Sequence, residues 1–464
     1  MTKAGAVVAI GFLMVASAPA DTWHVDNRAG DDANDGRSEK RAFATIARAV
    51  KAAKTSDTIV LANTGSAYRE AIALSGLGGT PAEPFIIEGN GAVVTGLRAL
   101  PATGWKQAGE GVWLYAVEKK PYGNPFLVQA GRRLTQAKSA EAVEAGQFFW
   151  DDKGVRFRPE AGKTIGDTAL EATLLDSGVA LGGASYVVCR NIVSEYHSND
   201  GFNIHGDCRG VVFENIVARN NGDDGFSIHE CGGAVVRNGW FHHNRWGIQD
   251  VNASRSIFNG VTCEENEANG ADFVGGYHSL VDCVVRNNGA AQVNVRGERP
   301  KHLVGGESDP LCEGVAFLQN VLIAGGPEGL RVGGTARVTA RNCLITQAGT
   351  GAVVRDQSVC LLSSSIVAQC QKLELDCTSQ SFFRDHNLYH PGRFRWQGKD
   401  FGPEQWDAFR AAAGHDATSL LADPTLAANG VPAPDSPALK AKPRIGPTQP
   451  VTGYQPTPPM KEKP

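Results

Sequence analysis

Between Tyr186 and Gly297 apolar and polar residues alternate in short bursts, and the bursts return roughly every 22 to 24 residues behind a polar Asn/Asp turn. Two copies nearly superimpose: CRNIVSEYHSNDGFNIHGDCRGVVF from Cys189 and FENIVARNNGDDGFSIHECGGAVV from Phe213. In each, Asn opens an apolar run, and Gly-Phe-x-Ile-His then places apolar side chains at every second position, as a strand does. The alternation turns Phe202, Ile204, Phe226 and Ile228 inward and leaves Asn203, His205, Ser227 and His229 outside. Asn191, Asn215, Asn238 and Asn259 open successive coils, and Asn320, Asn342 and Ser364 resume the beat after an irregular stretch. So long a period, with short strands and no helical periodicity between them, predicts an all-β fold: a right-handed parallel β-helix, a solenoid whose coils stack strand on strand. A leucine-rich repeat would need denser leucine and a helix or turn per repeat, whereas here Val, Ile and Phe alternate with Gly, Asn and Asp.

The flanks follow other patterns. Residues 1–20 hold a basic start, an apolar run from Ala4 to Ala16 and the small residues Ala18-Pro19-Ala20, the layout of a signal peptide cleaved after Ala20. The run is short for a membrane span and no second one follows, so a secreted or periplasmic protein without stable membrane insertion is expected. Residues 21–96 are read as an N-terminal cap and the first coils. An amphipathic helix from about Phe43 to Lys54, with the stripe Ile46, Ala49, Val50 and Ala53, would cover the open end of the core. In the same segment Asp31 to Asp35 offers oxygen ligands for calcium, though Asp, Asn and Gly are also simply what turns are made of. Over 97–176 the rhythm breaks and aromatics gather, among them Trp105, Trp113, Tyr115, Tyr122, Phe126, Phe148 and Trp150. A small β-rich insertion is predicted there, its aromatics forming either its own core or a sugar-stacking platform. Residues 177–446 hold the coils and a C-terminal closure with a short helix around Glu404 to Ala413, and the Pro- and Lys-containing tail 447–464 is expected to be disordered.

Composition narrows the class. The 464 residues are 42% hydrophobic and 20% charged with a net charge of -4, which describes a soluble chain and argues against a nucleic-acid partner. The 55 glycines suit a fold that turns several times per coil. Ten cysteines fall between Cys189 and Cys377 without zinc-ligand spacing. Cys189, Cys283, Cys343 and Cys360 sit in apolar runs and read as small core residues, while Cys208 and Cys231 follow one motif in adjacent coils, within disulfide reach.

Stacking converts the period into geometry, because residues of one phase in adjacent coils lie about 4.8 Å apart. One outward column reads Asn203, Ser227, Gln249, Asp272, Asn294 and Arg331, and a second beside it holds His205, His229 and Arg296. Asp200 and Asp224 occupy the turn before this strand, Glu230 and Asp250 lie near its far edge, and the connection after Arg296 carries Arg299, Lys301 and His302. Acids, imidazoles and guanidinium groups along a groove are what acid–base chemistry on a polymer needs. His229, Arg296, Asp272, His205 and Lys301 are therefore the catalytic candidates, with Asn203, Gln249, Asn294, Arg331, Glu230 and Asp250 as substrate-binding ones. Asp200 and Asp224 are the candidates to hold a metal, Ca²⁺ being the ion that suits such ligands. A plainer reading has both aspartates bonding only the backbone of Asn-Asp-Gly turns, beside an asparagine ladder of Asn221, Asn244, Asn266 and Asn288. His242 and His243 belong to another turn and are read as solvated surface.

Four stretches resemble exported right-handed parallel β-helix proteins of the pectate-lyase-like superfamily, which includes polysaccharide lyases, glycoside hydrolases and uronan epimerases. They are FATIARAVKAAKTSDTIVLANTGSAYREAIALSGLGGTPAEPFIIEGNGAVVTG, the insertion with LVQAGRRLTQA and FFWDDKGVRFRP, the NNGDDGF coils, and NLY with GHDATSLLADPTL and DSPAL. These motifs cap, turn and stack, so the resemblance implies architecture and a polysaccharide partner but transfers no residue's role. The DPHD motif of the alginate epimerases is absent. Three functions stay open. In β-elimination a cation neutralises a uronate carboxylate while a base takes the adjacent carbon-bound proton. In hydrolysis two carboxylates act, Asp200 over Asp224 matching the retaining spacing and Asp224 with Asp272 the inverting one. The third is a non-catalytic glycan-binding or surface solenoid. Basic groups beside the carboxylates place elimination first, by a chain expected to be monomeric.

Overall fold

The computed structural model describes residues 20–297, 313–427, 430–447 and 449–456. The proposed signal segment up to Pro19 and the connection carrying Lys301 lie outside them. The coils stack in parallel register: one strand per coil joins a 12-stranded sheet, and the remaining strands join a 19-stranded sheet that closes the other sides. Corners are made where Asn191, Asn215 and Asn238 take left-handed conformations, with φ of 57°, 54° and 60°. Asn tolerates that region better than other side-chain-bearing residues. In the next coil Gly260 takes the corner, φ 66°, one residue beyond the expected Asn259. The corner amides also bond to one another, Asn238 Nδ2 donating to Asn215 Oδ1 and Asn215 Nδ2 to Asn191 Oδ1, at 3.0 and 3.1 Å.

Inside, Phe202 pairs with Phe226 in register, and Phe226 packs edge-on against Phe213 and Phe258, all four without exposed surface. At a second corner Asn221 donates to Asn244, Asn244 to Asn266, and Asn266 to Asn288, at 2.9, 3.3 and 2.8 Å. Each amide also meets backbone groups that the corner would otherwise leave buried and unpaired.

The ends are closed by helices. Ile46–Ala52 lays Ile46 and Ala49 on the first coils, capped by Thr45 Oγ1 accepting from Arg48 N. Trp406–Ala413 stacks Phe409 on Phe394, centroids 4.2 Å apart, and stops at Gly414, whose φ of 69° needs glycine. In the Asp31 to Asp35 loop the carboxylates accept backbone N–H groups, including those of Ala33, Ala44, Thr45 and Arg37, which is turn chemistry. The insertion is two small sheets around Trp105, Phe126, Phe148, Trp150 and Phe157, so most of its aromatics are its own core, while Tyr122 stands 72% exposed.

Two expectations are corrected, and the question that the sequence left open at Cys208 and Cys231 is answered. The tail 447–464 was expected to be disordered, but its described residues 449–456 run back along the 19-stranded sheet, where Gln455 Nε2 donates to Glu264 Oε1, 2.8 Å. Cys208 and Cys231 are both free; Cys208 is buried, with its thiol on the His205 carbonyl, and Cys231 is exposed. His242 is not solvated: its ring stacks on Trp240 at 3.9 Å, and burial pushes its pKa down to about 3. Among the described residues no helix is long and apolar enough to cross a membrane.

Candidate active site on the twelve-stranded sheet

Six strands carry the site: β1 (Phe202–His205), β2 (Asp224–Ile228), β3 (Trp246–Val251), β4 (Ala271–Val274), β5 (Ala291–Gly297) and β6 (Glu328–Gly334). Their register aligns Asn203, Ser227, Gln249, Asp272, Asn294 and Arg331 in one outward column, as the sequence phase requires. The insertion leans on the turns that lead into β1, β2 and β4: Tyr196 Oη donates to Gly131 O, Asn124 Nδ2 to Gly222 O, and Arg133 pairs with Glu267. It therefore walls one side of the face.

At that wall the acids crowd. Asp200 Oδ1 accepts from Asp224 N at 3.1 Å, and its Oδ2 accepts from Asn199 and Asn203 side chains. Both carboxyls are buried, and burial first, then neighbouring carboxylates, pushes both pKa values well above the ordinary range. Asp223 is likewise raised by burial despite Arg245, 3.6 Å away. Asp272 sits further along, raised by burial against the opposing pull of Arg296 at 3.8 Å and of Asn294, which donates to it. In register with Asp224 lies Trp246, half-buried, with the Arg245 guanidinium 4.1 Å over its ring. Trp246, Asp223 and Arg245 escaped the sequence reading; the signal was that Trp246 repeats the phase of Asp200 and Asp224 one coil later.

Beside the column, His205 and His229 meet. His205 Nδ1 is 3.2 Å from Glu230, whose Oε2 also accepts Gly206 N. His229 Nε2 is 2.9 Å from Ser227 Oγ. Arg296 continues that phase only after Val251 and Val274, so two apolar rungs separate it from the histidines. Asp250 is corrected outright. It follows Gln249, so alternation turns it inward, where it accepts from Ile228 N and Ser256 Oγ and faces His278 at 3.4 Å, fully buried. It cannot touch a ligand on this face.

The family model described as right handed beta helix region matches residues 177–304, which spans the strands carrying these residues as far as β5. The chain is a right-handed parallel β-helix. This is the architecture that the sequence resemblance implied. Among solved structures the β-helix is similar to XylC in complex with xylose (12% identity, TM-score 0.49, covering 81% of this chain and 69% of that one). It is also similar to the pectate lyase Pel9A (13%, 0.48, 79% and 78%) and to the A-module of the Azotobacter vinelandii mannuronan C-5 epimerase AlgE4 (16%, 0.37, 80% and 94%). These likenesses are of fold alone. No curated protein matches the chain.

A cation can be tested against the donors present. Asn203 Oδ1, Asp223 Oδ1 and Asp224 Oδ1 are buried acceptors that receive no hydrogen bond. Hard oxygen donors of this kind fit Ca²⁺. Among the described residues no three His, Cys, Asp or Glu side chains are disposed to hold a metal, so this set is two carboxylates and one amide. Asp200, a sequence candidate for ligation, instead has both oxygens engaged in holding Asn199, Asn203 and the β2 backbone.

Proposed function

We propose that the protein cleaves a uronate-containing polysaccharide by β-elimination along the face of β1 to β6. The observation that carries this reading is the trio of donorless buried oxygens on Asn203, Asp223 and Asp224 beside a protein base. Leaving such acceptors without a donor is costly; Arg245 faces Asp223 Oδ1 at 3.6 Å, beyond hydrogen-bond reach, and the crowding of Asp200 and Asp224 is relieved by protons or by a cation. Asp223, Asp224 and Asn203 would hold Ca²⁺, which when bound supplies the positive charge that neutralises a substrate carboxylate.

The other roles belong to side chains of the chain itself. His205 stands two residues beyond Asn203 on one strand, hence on the same side and about 7 Å further along. Glu230 takes its Nδ1 proton, which leaves Nε2 to accept the carbon-bound proton of the sugar. Trp246, in register with Asp224, offers a ring face to the neighbouring sugar. Arg296 and Arg331, further along the axis, meet carboxylates of later sugars.

Hydrolysis is the second reading, favoured by the raised carboxyls of Asp200 and Asp224, which retain a proton as a general acid must. The deciding experiment is a panel of pectic, alginate and glycosaminoglycan polymers, read both for the ultraviolet absorbance of unsaturated uronate and for reducing ends. Elimination produces both signals, loses them to EDTA and regains them with calcium. Reducing ends without absorbance, indifferent to EDTA, would assign hydrolysis, and binding without either product would leave a glycan-binding solenoid.

A further inference from the structure

The 19-stranded sheet carries a second, apolar surface that the proposed reaction does not use. Ile257, Tyr277, Phe317, Leu361 and Phe383 are all 40–57% exposed. Four of them fall in one outward column, which the register reads as Ile257, Ser279, Phe317, Thr339, Leu361 and Phe383. Tyr277 stands two residues before Ser279 in the adjacent column. Parallel stacking without register shifts keeps this strip straight, and from Ile257 to Leu361 large and small side chains alternate. Ridges at every second rung, about 9.6 Å apart, are thus separated by notches at Ser279 and Thr339.

We propose that this strip is a dimer interface, occupied by a second copy of the same chain related by a two-fold axis that runs parallel to the strands between Phe317 and Thr339. A two-fold contact must be self-complementary, since each residue that meets another is met by it in return. Reversing the column about that axis sets Phe317 over Thr339 of the second copy and Leu361 over its Ser279, ridge into notch, with Ile257 and Phe383 meeting at the ends. The flanking columns agree with it. Arg255 then faces Ser381, Tyr277 faces Val359, and Arg337 faces Val315 on one side. On the other, Arg341 faces Gln319 and Asp385 faces Asn259, so no two like charges oppose. Moving the axis by one rung toward Ser279 would bring Arg255 against Arg337, which fixes the register by repulsion.

Six rungs and three columns cover about 29 Å by 20 Å, or about 1,200 Å² counted over both copies, the low end of specific interfaces. The dimer is therefore a dissociable one. Sedimentation velocity and light scattering of the full-length mature chain over a range of concentrations test it. Dimers should form as concentration rises and dissociate on dilution. Phe317→Glu and Leu361→Glu should each give monomers with an unchanged unfolding midpoint, because both side chains project into solvent. Val212→Glu, in the same column but beyond the six rungs, should leave the dimer intact. Wild-type protein that stays monomeric at all concentrations overturns the proposal, as does a dimer indifferent to both Glu variants. Loss of binding to insoluble polysaccharide in a monomeric Phe317→Ser variant would also overturn it and give the strip to sugar instead.

Discussion

The imidazole rings of His205 and His229 lie 4.3 Å apart and within 4° of parallel, on adjacent rungs of the same sheet. Two imidazolium rings would repel at that separation, so the pair is built to hold at most one charge. Ser227 gives its proton to Gln249 O at 2.8 Å and therefore accepts from His229 Nε2, which sets the His229 tautomer. Burial, and then the neighbouring His205, hold the His229 pKa down to about 4.

Acid sensitivity follows from that depression. The ordinary value is 6.5, so between about pH 6.5 and 4 the unfolded chain binds a proton that the folded chain refuses. Stability falls as pH drops through that window and is flat above it. His229→Gln should remove this component, worth on the order of 2 kcal/mol near pH 4 relative to neutrality. Urea midpoints of the two proteins measured across the window check it; identical acid dependence would show that His229 does not contribute.

The aspartates carry the opposite sign. Asp200 and Asp224 are raised from 3.8, so the folded chain keeps protons that the unfolded chain has released, and stability falls as pH rises above that value toward the raised pKa. Asp224→Asn removes one of the two charges. Near pH 8 without calcium the variant should unfold at the same temperature as wild type or higher. Calcium at a hundredfold excess over Kd should raise the wild-type unfolding free energy by about 2.7 kcal/mol, and its midpoint with it, and leave the variant unmoved. A variant that is instead less stable, with calcium inert on both proteins, would return Asp224 to a turn role.

The coils were legible because alternation, period and corner residues all act locally: Phe202 over Phe226 and the whole column from Asn203 to Arg331 follow from phase alone. The site was legible only in part. Alternation from Gln249 already turns Asp250 inward, but its partners Ser256 and His278, which make a buried acid tolerable there, come from the next wall and the next coil. His229 and Arg296 share a phase, but the two valine rungs between them appear only once the coils are counted in space. Trp246 bears no titratable group, so acid–base chemistry does not single it out in the sequence. Residues 449–456 were not legible because Pro-containing composition reports weak local preference and says nothing of a polar partner such as Glu264, which only the folded coils bring to Gln455.

Catalysis should separate from stability at His205. The ring is half exposed, and its two contacts, Glu230 and the stacked His229 ring, lie at the surface, so His205→Ala should shift the unfolding free energy by no more than about 1 kcal/mol. As the proposed base its loss should lower kcat by about 10²- to 10⁴-fold on a uronate polymer. Glu230→Gln keeps an acceptor near Nδ1–H but removes its charge, so it should lower kcat less than His205→Ala does while leaving KM unchanged. Full activity in His205→Ala would take the base away from this pair.

The asparagine ladder gives the converse case, stability without chemistry. Asn244 is fully buried; its Oδ1 accepts from Asn221 N and Nδ2 at 3.0 and 2.9 Å, and its Nδ2 donates to Ala218 O at 3.0 Å. Asn244→Ala takes the side-chain partner from the backbone N–H of Asn221 and from the carbonyl of Ala218 where water does not reach, each a desolvation of roughly 1–3 kcal/mol, and leaves the Asn221 amide with Ser194 O alone. A loss of about 3 kcal/mol or more in unfolding free energy is expected, well beyond what the vacated volume alone would cause. Asn244→Asp should do little better, because a carboxylate keeps the acceptor but loses the Nδ2 donor and adds a buried charge. At temperatures where either variant remains folded, kcat should equal the wild-type value, since the ladder lies at the inner corner and touches nothing on the outward face. Chemical denaturation paired with turnover measurements reads both halves; near-native stability of Asn244→Ala would mean that water enters the corner and that the ladder is not what holds the coils in register.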